Sequence, residues 1–559
     1  MASYEMENVG SSNKTNTGNN NFSEKSNIQN VYEVASEPQV GQVHTVHRDL
    51  KSRHLQMIAI GGTIGTGLFI GSGNALRHGG PVGALLGYIF MGVFVYFMML
   101  SLGEMTAWMP AAGGFTRFTT QFIDPAAGFA VGWNYFYCFA ITLPAEITAA
   151  SIVIQYWDTN TNHLAIYITI MLVAAVLINL FGAKGYGESE FWLAIIKVLA
   201  IVGLIFLGLL LDMGVDSTTG YIGFRYWKEP GAFNKTYLDI ANAGTARFLG
   251  FWATLTQAAF SYLGVEIVCV TAGEAQNPRR NVPKAIRRVI YRIAIFYYLG
   301  ILVIGLLVPY NSPRLLSALA GKHTAAASPF VLAIKNAGIP VLPHIINAVI
   351  LSSAFSAGNS DLYTSSRTLY ALAIEGKAPR IFARCTASGL PYYAVGFTSL
   401  FGLLSYLNLS SGSSAAFGWL SNLTTVAGLF TWTMICWSYI RFYNAMKVQN
   451  FDRKQLPMVG FFQPYAAYIC VVIFPIIIFF NGFSTMVGTF AAQDFVAAYI
   501  GVPIFFIPWI VYKIYYRTKM VPLESMDIIG NAREVDQEEK DNPAFIPTTW
   551  YGKTWAAVM

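Results

Sequence analysis

At 559 residues the chain is 54% apolar and 15% aromatic but only 12% charged. Its apolar residues come in repeated stretches of about twenty, the length that crosses a bilayer. That pattern excludes a string of soluble domains and predicts an all-α polytopic membrane protein. The net charge of +7 does not argue for a nucleic-acid partner, because the basic residues lie in short segments between apolar stretches. The five cysteines show neither CxxC nor CxH spacing, so no disulfide framework and no metal site is indicated.

Residues 1–47 are polar and rich in Asn and Ser, and read as a disordered cytoplasmic tail. Lys14 and Lys25 within it are either simply solvated or acceptors for ubiquitin from a ligase partner. No cleavable signal peptide is visible, so the first span is expected to act as the signal. Twelve transmembrane helices follow, at residues 55–79, 82–107, 127–155, 164–183, 189–212, 249–274, 288–309, 340–372, 391–407, 414–441, 462–483 and 492–516. A short apolar piece at 329–337 is expected to cap the outer side. The helical body thus runs over 48–520, and 521–559 reads as a cytoplasmic C-terminal tail.

Lys and Arg counts orient the bundle. The segments on the N-terminal side of the membrane hold Arg48, Lys51, Arg53, Arg117, Lys184, the cluster Arg279, Arg280, Lys284, Arg287 and Arg288, and further groups around Arg380, Arg453 and Lys519. The opposite loops hold far fewer, among them Arg77, Arg225, Lys228, Arg314 and Lys335. Both termini are therefore expected in the cytoplasm. Asn234-Lys-Thr and Asn408-Leu-Ser would then face outward as glycosylation sequons, a weak signal taken alone.

The first span carries Gly61-Gly62-Thr63-Ile64-Gly65-Thr66-Gly67-Leu68-Phe69-Ile70-Gly71-Ser72-Gly73. So many glycines weaken a helix, and the backbone groups they free need a partner other than lipid. A Gly-rich face for helix packing is the plainer reading of a lone GxxxG. Here Gly65-Thr66-Gly67 also offers a hydroxyl between two glycines at a half-helix N-terminus, a donor set that suits a carboxylate. The sixth span repeats the feature: Phe260-Ser261-Tyr262-Leu263-Gly264-Val265-Glu266 puts a glycine and an acid in mid-span. Interruptions in spans one and six are what two inverted repeats of five helices predict.

Charges at membrane depth cost several kcal/mol, so each needs a reason. Glu146, after Leu143-Pro144-Ala145 in span three, is either a polar partner for another helix or a pocket wall facing a substrate side chain. Glu266 either binds the amides freed at its helix break or also carries a proton. Lys197, alone in the apolar run of span five, either snorkels to the inner face or stands where a cation would sit and takes part in coupling. Asp361 divides evenly between structure and proton coupling. Glu104 and Glu274 lie near cytoplasmic ends and read as gate or loop contacts. No nucleophile–base pair, phosphate loop or metal spacing appears, so an enzyme is not indicated. Two interrupted helices point to one occluded site rather than a channel filter.

Several stretches in order resemble the fungal amino-acid permeases, the yeast amino acid transporter family of the amino acid–polyamine–organocation superfamily. They are Gly65-Thr-Gly-Leu-Phe-Ile-Gly, Gly79-Gly-Pro-Val-Gly, Ser101-Leu-Gly-Glu-Met105, Gly187-Glu-Ser-Glu-Phe-Trp, Gly223-Phe-Arg-Tyr-Trp, Gly273-Glu-Ala-Gln-Asn-Pro and Val308-Pro-Tyr-Asn. The resemblance runs from about residue 47 to 520. Thr324-Ala-Ala-Ala-Ser-Pro-Phe and Asn359-Ser-Asp-Leu-Tyr-Thr-Ser-Ser-Arg are most similar to the dicarboxylic and general permeases.

That resemblance implies a proton-coupled symporter of the plasma membrane, with an L-amino acid as substrate and no cofactor beyond the proton. It implies that Thr66 and Gly67, with Gly65, meet the substrate α-carboxylate. The carbonyls of Ile64, Phe260 and Leu263, beside Ser261, Tyr262 and Gly264, would meet the α-amino group. The Phe260 ring would act as an aromatic gate, and Cys138, Glu146 and Thr424 would line the side-chain end. Lys197 matches a lysine that replaces the ion of sodium-coupled relatives, which favours protons. Lys197, Glu266 and Asp361 are the proton-coupling candidates. The dicarboxylic permeases carry an amide where this chain has Glu146, and an ionised carboxylate there repels an acidic side chain. Neutral, broad or somewhat basic substrates are therefore expected. The alternatives are a glutamate/aspartate permease and a non-transporting amino-acid sensor, which would be expected to carry a longer N-terminal extension.

Overall fold

The computed structural model describes Met57 and residues 64–110, 114–215, 220–270, 278–319, 328–411 and 413–530. Lys14, Lys25, Gly61 to Thr63 and Glu274 lie outside the described residues. All regular structure among the described residues is helical.

A π-helical turn, Gly67–Gly71, leads into α1 (Ser72–Trp108), followed by α2 (Phe115–Phe122), α3 (Pro125–Ile154), α4 (Leu164–Leu180) and α5 (Gly182–Asp212). Next come α6 (Ala243–Tyr262), α7 (Ile267–Val270), α8 (Pro278–Arg292), α9 (Leu299–Leu307), α10 (Pro313–Leu319) and α11 (Pro329–Asn336). The chain continues through α12 (Leu342–Ile374), α13 (Tyr392–Phe401), α14 (Asn408–Ser411) and α15 (Ser413–Val448). It closes with α16 (Tyr465–Phe479), α17 (Ala492–Tyr499) and α18 (Gly501–Tyr516). Local signals set several starts. The Asp124 carboxylate caps α3 through the Ala126 amide, with Pro125 at the first helical position. Asn242 caps α6 through the Gly244 and Thr245 amides.

Among the described residues seven helical runs are long and apolar enough to cross a membrane, and α17 with α18, bent by 43°, makes an eighth. The twelve expected crossings exceed that number for physical reasons. The first two expected spans form one 42-residue run, Gly67–Trp108. At 1.5 Å per residue that is ~63 Å, about twice a bilayer's hydrocarbon thickness. The run divides at Gly80 (φ 71, ψ 178), followed by Pro81, which is the expected boundary. The α6 run ends at an interruption, the polar stretch of α12 lowers its mean hydropathy, and α13 passes into a 3-10 turn after ten residues.

The helices sort into inner and outer. α3 and α15 are mostly buried, whereas α4 and α5 expose Ile166, Ile170, Leu177, Leu199 and Phe206, a face suited to lipid. α12 packs along α3, and α1 along α6. Residues 521–530 lie back on the helical body: Met526 and Ile528 are buried, Trp108 Nε1 donates to Ile528 O at 2.7 Å, and Gln449 donates to Leu523 O and Met526 O. Neither sequon presents its amide to solvent, since Asn234 and Asn408 are buried and Asn234 Nδ2 donates to Arg77 O.

A Cβ at Gly80 would lie 2.8 Å from Asn234 N, on top of a positive φ. Gly80→Ala is expected to destabilise by more than about 1 kcal/mol. Gly203, with nothing near its missing Cβ, should tolerate Ala and gain up to about 1 kcal/mol. Thermal unfolding of both variants in detergent checks this, and equal midpoints would remove the strained break from the account.

Candidate functional site

The site is built where a helix start meets an interrupted helix. Ile64 and Gly65 are non-helical and the first helix starts at Thr66. α6 ends at Tyr262, Leu263 turns extended (φ −56, ψ 142), Gly264 has φ 90, and the helix resumes at Ile267. The two meet where a Cβ on Gly67 would lie 2.6 Å from Ser261 Cα, so only glycine lets the backbones approach this closely. Freed backbone groups have partners. Ser353 Oγ donates to Ile64 O at 2.9 Å, Tyr297 OH to Ser261 O at 2.9 Å, and Leu263 N to Phe260 O at 3.2 Å. Tyr88 OH and Ser261 Oγ share a 2.8 Å hydrogen bond, holding the end of α6 to α1.

Glu146 reaches this break directly. Thr66 Oγ1 donates to Glu146 Oε1 at 2.8 Å, and the Thr66 N–H also faces the carboxylate. A chain carboxylate thus sits on donors that the sequence assigned to a substrate carboxylate, as the positive end of a half-helix favours. Its second oxygen, Oε2, is buried without a hydrogen-bond partner.

Lys197 does not snorkel: it is fully buried, with Nζ 3.3 Å from Glu190 Oε1. Ser356 Oγ on α12 donates to Glu190 Oε2 at 2.5 Å, so Glu190 ties α5 to α12. Sequence reasoning missed Glu190. The signal was available, because a seven-residue separation puts Glu190 and Lys197 on one helical stripe. Asp361, also on α12, is within electrostatic range of Glu146, Lys197 and Glu190, and its Oδ2 has no hydrogen-bond partner.

The remaining candidates gather around α15. The Phe260 ring meets Phe417 edge-on at 5.7 Å, and Cys138 Sγ donates to Thr424 O at 3.4 Å, which joins those two predicted residues. A Cβ on Gly428 would collide with Leu263, so the broken strand of span six is seated on α15. Glu266 accepts from Trp432 Nε1 at 3.2 Å and faces the freed N–H groups of Gly264 and its own residue. Glu104 lies apart from this site. It accepts from Tyr439 OH, Arg453 and the Gly460 amide, a contact between α1, the end of α15 and the loop after it.

Among the described residues, helices alone, several of membrane length, and a helix start abutting an interrupted helix in the core make the architecture that of a polytopic membrane protein. The amino acid permease family profile covers residues 54–523, and the chain belongs to that family. It is 43% identical over 498 residues to the dicarboxylic amino acid permease of Saccharomyces cerevisiae, covering 89% of this chain and 82% of that one. Identity is 44% over 513 residues with the proline-specific permease of Emericella nidulans, covering 91% and 92%. With the lysine-specific permease of Saccharomyces cerevisiae it is 43% over 516 residues, covering 92% and 83%. These relatives are permeases, not enzymes. Acidic, cyclic and basic substrates in their names at nearly equal identity mean that overall similarity does not choose the side chain.

Gly67→Ala is expected to force the half-helices apart and lower uptake at least about tenfold at matched surface expression. Gly71→Ala, whose Cβ would meet Gln257 Oε1 at 3.7 Å and Ser261 Oγ at 4.0 Å, both ordinary contacts, should leave uptake unchanged. Separately, Glu190→Gln removes the carboxylate paired with the buried Lys197 ammonium and should destabilise by about 3–5 kcal/mol, while Glu190→Gln with Lys197→Met should recover most of that loss. Detergent melting curves of the single and double variants decide this.

Proposed function

We propose that the chain is a plasma-membrane, proton-coupled symporter that imports L-amino acids by alternating access, with both termini in the cytoplasm. The reading extends to twelve crossings arranged as two inverted repeats of five. The observation that supports it most is the close approach of the helix start at Gly67 to the interrupted helix at Ser261, in a chain of the amino acid permease family.

In this reading the substrate α-carboxylate faces Thr66 and Gly67, and its α-amino group faces the carbonyls of Ile64, Phe260 and Leu263. A carbonyl oxygen has two lone pairs, so Ile64 O can accept from a substrate while Ser353 still donates to it. Glu146 already holds the Thr66 hydroxyl, so a substrate carboxylate takes that donor as Glu146 releases it. A proton on Glu146 weakens its grip, which links proton and substrate. The Phe260 ring covers the substrate, and Cys138 and Thr424 lie toward its side chain. Lys197, Glu266 and Asp361 are the further groups through which a proton couples. The inward gradient supplies about 2.3 kcal/mol per charge for each 100 mV. Ubiquitin ligases acting on the cytoplasmic tails are the proposed regulatory partners.

A dicarboxylic permease is the second reading, favoured by the 43% identity to one and opposed by Glu146. A non-transporting sensor is the third. The test is uptake of radiolabelled proline, alanine, glutamate and arginine in cells lacking their own amino-acid permeases, at acidic and neutral external pH, with and without a protonophore. Accumulation that the protonophore abolishes is expected. Preferred glutamate uptake selects the dicarboxylic reading, and surface expression without any accumulation selects the sensor.

A further inference from the structure

Arg292 is a buried cation with no carboxylate beside it among the described residues. It is 5% exposed, in the membrane-length run Asn281–Leu307, and lies about 16 Å along that run. Its Nε and Nη2 have no hydrogen-bond partner, and the group that acts on it electrostatically is the Tyr297 phenol. Arg292 and Tyr297 come together because Ile293–Tyr298 is π-helical, with the Leu299 N–H donating to Ala294 O. An α-helix sets residues five apart about 140° around its axis, whereas a π turn stacks them. Tyr297 in turn donates to Ser261 O at 2.9 Å, on the interrupted helix that approaches Gly67. A chain of contacts thus leads from the candidate substrate site to Arg292. With the N-terminus in the cytoplasm, α8 enters from the inner face. Arg292 then lies inward of Tyr297, and half-buried Arg288 lies one turn further inward.

An unpaired guanidinium is costly inside a membrane protein, so it needs a reason beyond stability. Nε and Nη2 form one edge of the planar group, spaced for both oxygens of a carboxylate. A lipid headgroup stays at the membrane surface and does not supply the anion at this depth. We propose that Arg292 is a carboxylate-binding site on the inward release path. It takes the α-carboxylate of the amino acid as Thr66 and Gly67 let it go. A carboxylate leaving those donors is still out of water, and it needs a new donor pair before it reaches the cytoplasm. The proposal rests on the amino-acid-import reading above and adds a second station to that path.

The test uses the full-length chain with Arg292→Met, which removes the charge at similar length, and Arg292→Lys, which keeps the charge without the fork. Uptake is measured for whichever of proline, alanine, glutamate and arginine the wild type carries best. At matched surface expression Arg292→Met should lower the maximal rate about tenfold or more without raising KM, because release slows and entry does not. Arg292→Lys should lower it by a smaller factor. In detergent Arg292→Met should melt no lower than the wild type, since an uncompensated buried charge has gone. Acetate should raise the wild-type melting temperature above that in chloride at equal ionic strength, and Arg292→Met should abolish the difference. A raised KM with an unchanged rate, or a lower melting temperature for Arg292→Met, overturns the proposal. So does a wild type that melts alike in acetate and chloride, which leaves at most a pocket for any small anion. Acetate stabilisation that depends on Arg292, without uptake of any amino acid, keeps the carboxylate site and sinks the import reading.

Discussion

A peptide N–H or C=O released from a helix inside hydrocarbon must find a partner, because no water is there to supply one. The core of this protein is arranged around that requirement at two places. At the first break, Ser353 serves the Ile64 carbonyl and Glu146 serves the Thr66 donors. At the second, Tyr297 serves Ser261, and Glu266 with Trp432 serves the turn at Gly264. Ser353, Glu146, Tyr297 and Trp432 come from four different helical segments, so the breaks hold the bundle together as much as the bundle holds them.

Charge follows the same logic. An ammonium and three carboxylates in a low-dielectric interior demand pairing, protons or a bound cation. Glu190 and Lys197 meet the demand locally, and Glu104 meets it with Arg453, Tyr439 and a backbone amide. Glu146 and Asp361 do not, and their unpartnered oxygens are where the interior stays open to a ligand. The satisfied clusters tie helices to one another.

The relatives sharpen this distinction. Permeases named for dicarboxylic amino acids, proline and lysine are 43%, 44% and 43% identical to the chain. Names spanning such different side chains at nearly equal identity mean that selectivity is not carried by the shared scaffold as a whole.

The sequence by itself determined the class: apolar stretches of membrane length, glycine clusters in spans one and six, and the division at Gly80 and Pro81 are local properties, readable from composition and order. The interrupted sixth span was legible for the same reason, since Leu263-Gly264 cannot continue a helix smoothly. Partnership was not legible. Glu146 settling on Thr66 joins residues 80 positions apart, and the Glu190–Ser356 bond joins residues 166 apart. Gly67 read as part of a donor set, yet its missing Cβ is what lets Ser261 approach. The polar stretch of α12 and the segment at 521–530 likewise took their roles from what packs against them. Helix formation and membrane length depend on near neighbours in the chain, whereas pairing of buried charges depends on which helices the fold brings side by side. Only the tertiary structure decides that.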